Sequence, residues 1–175
     1  MKKSITIWGF MILIAIGIWI VGFAIPASGE TMNFKGYTYV VKVERVLIGD
    51  VENHNVGLTV RRTIAVFENG ENATVIAVST SDGTPLSSSF IQYSNFTFSD
   101  GSTIITKVQG TTGGGTAVGA YTVARFTGEI IKGTGRFNGI KGTVTAAYKF
   151  FPVEKGEDGP KGIGEGTFTY TLPSK

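Results

Sequence analysis

The chain contains no cysteine, which excludes disulfide frameworks, thiolate metal sites and cysteine nucleophiles. A single histidine, His54, excludes any site that needs two. It also has no evident acid partner, and Ser87-Ser88-Ser89 lacks the Gly-x-Ser-x-Gly elbow, so acyl-transfer chemistry is not expected. Charge is scarce and nearly balanced: sixteen Lys and Arg face thirteen Asp and Glu, and setting Lys2 and Lys3 aside leaves fourteen against thirteen. The basic residues are spread singly, with Arg61-Arg62 the one doublet beyond Lys2-Lys3. No nucleic-acid partner is expected, because binding a phosphate backbone requires cations gathered on one face.

What is present begins with a leader. After Met1-Lys2-Lys3-Ser4 an uncharged apolar run extends from Ile5 to Ile25 and ends in Pro26-Ala27-Ser28-Gly29. Lysines, an apolar core and small residues in that order predict a signal peptide. The run is also close to the ~20 residues that span a bilayer as a helix, so an uncleaved membrane anchor through residues 5–25 is the near alternative to a cleaved signal peptide. Both readings place residues 30–175 outside the membrane, as a periplasmic or secreted domain or as the outer part of a single-pass protein. The expected organisation is therefore a leader over 1–29, as one N-terminal apolar helix, and one domain over 30–175.

Beyond Thr31 no segment repeats apolar residues at helical spacing over three turns. Alternating β-branched and aromatic runs predict strands near 34–47, 56–68, 72–80, 88–98, 102–110, 118–132, 139–151 and 165–172. Asn69-Gly70, Asp82-Gly83 and Asp100-Gly101 supply turn chemistry. Eight strands of such length predict an all-β fold, an eight-stranded antiparallel barrel, with a two-sheet sandwich as the alternative. Alternation assigns Tyr37, Tyr39, Val41 and Val43 to the inward face of the first strand and Val56, Leu58, Val60, Ile64 and Val66 to that of the second. Ile140, Val144, Ala146, Tyr148 and Phe150 mark the seventh. Periodicity alone leaves open whether such a face lines the lumen or meets a partner subunit.

The stretch Gly133-Thr134-Gly135-Arg136-Phe137-Asn138-Gly139-Ile140-Lys141-Gly142 resembles the strand-turn-strand signature of allene oxide cyclase-like and dirigent-like barrels. Phe98-Ser99-Asp100-Gly101-Ser102 and the ending Gly166-Thr167-Phe168-Thr169-Tyr170-Thr171-Leu172-Pro173 are similar to exported bacterial members of that group. The resemblance implies a calycin-like barrel over about 32–175 and a lumen able to hold a small apolar molecule. It transfers no catalytic residue. Within the motif the glycines are expected to form a hairpin corner and Phe137 to plug the barrel end.

Arg62 falls on the apolar register between Val60 and Ile64, where a charge needs a partner. It is a candidate for an anionic head group, with pairing to Glu44 or Glu129 as the structural alternative. Tyr37, Tyr39, Tyr93, Tyr121 and Tyr148 are candidates to line a pocket, or simply core. The ligand-binding set drawn from these is Tyr37, Tyr39, Arg62 and Tyr148. The loop Asp50-Val51-Glu52-Asn53-His54-Asn55 and the acidic loop Glu154–Gly159 read as solvated connections, and no metal site is assigned. Gly110–Thr116 reads as a loop, since a phosphate cradle would need a following helix. Gly162-Ile163-Gly164-Glu165-Gly166 fails the dinucleotide pattern on the same ground, so no cofactor is expected. Without a catalytic set, the first reading is a barrel that binds a small apolar or amphipathic ligand, or associates with copies of itself or other envelope proteins. A cofactor-independent isomerase or cyclase acting in the lumen is the second, and a purely structural subunit the third.

Overall fold

The computed structural model describes residues 29–114, 120–157 and 159–174. Eight strands follow one another: β1 (Glu30–Leu47), β2 (Asn55–Phe67), β3 (Asn72–Thr84), β4 (Ser87–Phe98), β5 (Thr103–Gly114), β6 (Thr122–Thr134), β7 (Lys141–Phe150) and β8 (Gly162–Thr171). Each pairs antiparallel with the next, and β8 returns to β1, closing the cylinder. The expected eight-stranded antiparallel barrel is therefore present, and closure leaves neither the open edges nor the second sheet of a sandwich. The predicted N-terminal helix lies outside the described residues, among which no helix is long and apolar enough to cross a membrane.

Two hairpins reverse where their sequence chemistry asks. At Asn69-Gly70 and Asp100-Gly101 the glycines hold φ of 86° and 80°, and Phe67 and Phe98 donate across the turns to Glu71 and Ser102. Asp82-Gly83 is different: the expected turn is part of β3, with Asp82 paired to Ser89 on one side and Val56 on the other. The ladder continues to Thr84 and Ser87, so the chain reverses at Pro85-Leu86, where proline's missing N–H costs no ladder bond. Gly110–Gly114 is likewise strand rather than loop. A Cβ on Gly110 would fall 2.6 Å from that of Phe126, so glycine there lets β6 approach.

The main correction concerns the faces. Tyr37, Tyr39 and Val41 on β1, and Val56, Ile64 and Val66 on β2, point out of the barrel and are 40–54 % exposed. The inward positions are Phe34, Gly36 and Thr38 on β1 and Thr63, Ala65 and Phe67 on β2, all buried. The period of two is real, but a narrow cylinder cannot hold a large side chain at every inward site. Rings from some strands therefore require small residues opposite. On β8 a Cβ on Gly164 would lie 2.5 Å from Tyr148 Cγ, and one on Gly166 2.5 Å from Phe34 Cζ. On β7 the expected inward residues Val144, Ala146, Tyr148 and Phe150 are buried, as is Ile140 just before it.

The chain enters and leaves at one end of the barrel, and that end is filled. Phe168, fully buried, lies with its ring 5.1 Å from Phe96, 5.5 Å from Phe34 and 6.4 Å from Phe67. The turn Gly135–Phe137 carries Phe137 to 4.9 Å from Phe98, closing the end as its sequence suggested. Arg136 covers the plug, 5.0 Å from the Phe98 ring and 4.7 Å from Phe137. Its guanidinium pairs with Glu71 at 2.5 Å and Asp100 at 3.5 Å.

Candidate functional site

Among the described residues the opposite end is open and holds a cavity of about 290 Å³, at the small limit of the roughly 300–1,000 Å³ typical of small-molecule sites. Its two walls differ because the strands that build them differ. From β1 to β5 a ring of hydroxyls points inward: Thr38, Thr63, Ser79, Ser94 and Thr106 are buried and line the cavity, beside Ala77 and Phe90. They are held by contacts such as Gln92 donating to Ser94 Oγ at 2.9 Å and Thr38 donating to the Arg62 carbonyl at 3.2 Å. From β6 to β7 the wall is aromatic, with Phe126 stacked 5.9 Å from Tyr148 and Tyr148 6.2 Å from Phe150. Burial pushes the Tyr148 phenol well above its ordinary pKa, so it stays neutral. Phe34, Phe96 and Val75, at the top of the plug, line the cavity as well.

Arg61 comes in from β2, on the face it shares with Gly57, Thr59 and Thr63. Its guanidinium carbon sits 4.6 Å from the Phe150 ring centre, and Nη1 donates to the Pro160 carbonyl at 3.5 Å. Burial, and then the charge of Arg45, lower its pKa to about 10, so it remains protonated at neutral pH. Arg45 reaches the same cavity because of a bulge in β1. The register jumps between Val40, paired with Arg61, and Lys42, paired with Val60. The extra residue, Val41, reverses the face of everything after it, so Val43 and Arg45 fall on the face of Thr59 and Gly57.

A clasp stands beside the mouth. His54, in the β1–β2 connection, has Nδ1 2.5 Å from Asp50 and Nε2 2.7 Å from Asp82 of β3. Both nitrogens can donate only in the imidazolium form. The hydrogen bonds to Asp82 and then Asp50 raise the His54 pKa, and the bond to His54 lowers that of Asp50. The connection is thus tied to the rim rather than loose, and among the described residues no His, Asp and Glu group is arranged to hold a metal.

Of the ligand set expected from the sequence, the structure brings one residue to the cavity. Tyr148 lines it, whereas Tyr37, Tyr39 and Arg62 lie on the outer wall. Tyr93 and Tyr121 are also outside, beneath Lys107 and Lys149 respectively. Neither Glu44 nor Glu129 pairs with Arg62; Glu44 pairs with Lys42 at 2.7 Å. Arg61 and Arg45 were missed, the first because apolar alternation on β2 marks the outer face, the second because nothing in Tyr39-Val40-Val41-Lys42 announces the bulge. The signal for Arg61 was the opposite parity, Gly57-x-Thr59-x-Arg61-x-Thr63-x-Ala65. A larger concavity on the outer wall draws on all eight strands, with Arg125, Ser89 and Glu165 among its residues. In register they form one cross-strand row, Ser89–Thr111–Arg125–Ala147–Glu165, on the outside of the cylinder.

No family model and no curated protein matches the chain. Among solved structures the chain is similar to the pterocarpan synthase dirigent protein PsPTS1, with a TM-score of 0.48 and 19 % identity over 85 % of this chain and 98 % of that one.

Proposed function

We propose that the domain is a binding barrel standing outside a membrane, tethered by its leader or released from it, and that its open end takes one small amphipathic molecule into the lumen. The contrast within one cylinder carries this reading. One end is packed with rings, while the other keeps about 290 Å³ between a hydroxyl wall and an aromatic wall. Apolar surface retains a ligand and a few fixed hydroxyls orient it. A cyclase or isomerase acting in the lumen would have Arg61 and Tyr148 as its guiding groups. No carboxylate or imidazole lines the cavity among the described residues, which favours the binder.

Native mass spectrometry of protein purified from its own host tests this. The expected result is one small molecule per chain, lost when Ala124→Phe fills the lumen. A wild-type barrel that carries nothing and binds no amphipath would sink the reading. The lysine-led apolar leader supports the outer location; protease added to intact cells is expected to digest the domain, and full protection would count against it.

A second reading, association through the outer wall, is favoured by the apolar and aromatic surface on β1–β4, where Tyr37, Tyr39, Ile64, Ile76 and Tyr93 are 48–54 % exposed. Light scattering of wild type and Ile76→Lys addresses it. A multimer dissolved by the lysine is expected, and a wild-type monomer would contradict it.

A further inference from the structure

We infer that the molecule held in the lumen is an anion, with its charged group at Arg61 and Arg45 in the mouth and its apolar body along Phe150, Tyr148 and Phe126. The inference rests on the binding-barrel reading above and names the chemistry of its ligand.

An arginine carries five N–H donors, and Arg61 uses one of them, at the long limit of 3.5 Å to Pro160. Among the described residues it forms no ion pair, and no carboxylate lines the cavity; Glu44 pairs with Lys42 and Glu157 with Lys161. Asp158 lies outside the described residues, and the test below includes it. A desolvated charge without a counter-ion costs several kcal/mol in general terms, and Arg45 adds a like charge to the same cavity. An anion between the two removes both penalties.

The geometry also gives the anion a direction. The guanidinium lies over Phe150 with one N–H on the Pro160 carbonyl, and its remaining donors suit a carboxylate or phosphate group. From that ring the aromatic wall continues through Tyr148 to Phe126 at 6.2 and 5.9 Å. A head group on Arg61 therefore places an attached apolar body against the rings, with its opposite side toward the hydroxyls of β1–β5. A free inorganic anion would satisfy the charge and leave the aromatic wall unused.

Three probes that share one ring system separate these elements: 2-naphthoate, 2-naphthylmethanol and 2-naphthylmethylammonium. Their own fluorescence reports binding to protein expressed from the full chain. The carboxylate is expected to bind at least about ten-fold tighter than the alcohol, with the ammonium weakest. Added salt is expected to narrow the gap, and inorganic phosphate to compete poorly. Arg61→Met keeps an apolar stem and is expected to bring the carboxylate down to the level of the alcohol while alcohol binding persists; Arg45→Gln has the same effect in smaller measure. Equal affinities for carboxylate and alcohol in the wild type overturn the anion inference and leave the binding barrel standing. Failure of all three probes overturns both. If Asp158→Asn tightens the carboxylate by an order of magnitude, Arg61 has its counter-ion within the chain and the inference falls; an unchanged affinity upholds it.

Discussion

The barrel carries an arginine stacked on phenylalanine at each end, and the two are built differently. Arg136 lies over Phe98 and Phe137 and meets Glu71 and Asp100. Arg61 lies over Phe150 and, among the described residues, meets a single carbonyl. The first covers a filled core with its charge balanced, which is how a structural arginine is satisfied. The second borders the cavity and forms no ion pair among the described residues. An aromatic ring beneath the guanidinium is common to both, so the difference between the two ends lies in the acids and in what fills the cylinder beneath.

The largest expected break in the comparison is in packing. Phe168→Ala, in the plug, is expected to cost about 3–5 kcal/mol, the range for a fully buried ring. Phe150→Ala, on a wall that already borders a cavity, is expected to cost less than half of that, as read by urea denaturation. Equal losses would mean that the two ends are equally packed.

The arginines themselves should differ in sign. Arg136→Met removes two ion pairs and is expected to lose about 1 kcal/mol, a modest figure because the group is partly exposed and screened. Arg61→Met removes a desolvated charge and is expected to leave stability unchanged or raise it by up to about 1 kcal/mol. A clear loss at Arg61 would show that an internal partner balances it.

Acid should separate the ends further. The Arg136 guanidinium, then Asn69, hold the Glu71 carboxyl below its usual range, and the backbone N–H of Ser102 does the same first for Asp100. Groups with a depressed folded pKa stabilise the fold above the unfolded value near 4. That contribution is lost as pH falls through the lower, folded value. Urea midpoints from pH 7 to pH 3 are expected to fall in the wild type, and less steeply in Arg136→Met. Asp100 should keep most of its share, since its main hydrogen bond is to backbone.

The smallest effect is local and runs the other way. His54 has a raised pKa, so the stability of its clasp is complete below the unfolded value of about 6.5 and lost as pH rises through the folded one. Amide exchange in residues 48–54 is expected to quicken across that rise in the wild type and to be fast and pH-insensitive in His54→Gln, beyond the intrinsic exchange rate. Identical profiles would remove the clasp from the account.

Much of the architecture was legible in the sequence, because eight alternating runs separated by Asn-Gly, Asp-Gly and Gly-rich corners leave few alternatives to closure. The plug was legible through Phe137 in its glycine corner. The polarity of the faces was not. Tyr37, Tyr39 and Ile64 read as core by alternation, and what sends them outside is the limited width of a cylinder already holding Phe34, Phe67 and Phe168. Small residues two apart, as in Gly162-x-Gly164-x-Gly166, carry that information, since only a position facing another ring must give up its side chain. The arginine that lines the lumen, Arg61, is the neighbour of the one that alternation selects, Arg62, and one residue in a strand is the difference between the outer wall and the lumen.

A thermal melt with and without 2-naphthoate distinguishes a receptor at the open end from a plug at the other. The probe is expected to raise the melting temperature of the wild type and of Arg136→Met, whose lower baseline does not matter, but not that of Arg61→Met. A rise of the same size in Arg61→Met, or none in the wild type, would contradict that distinction.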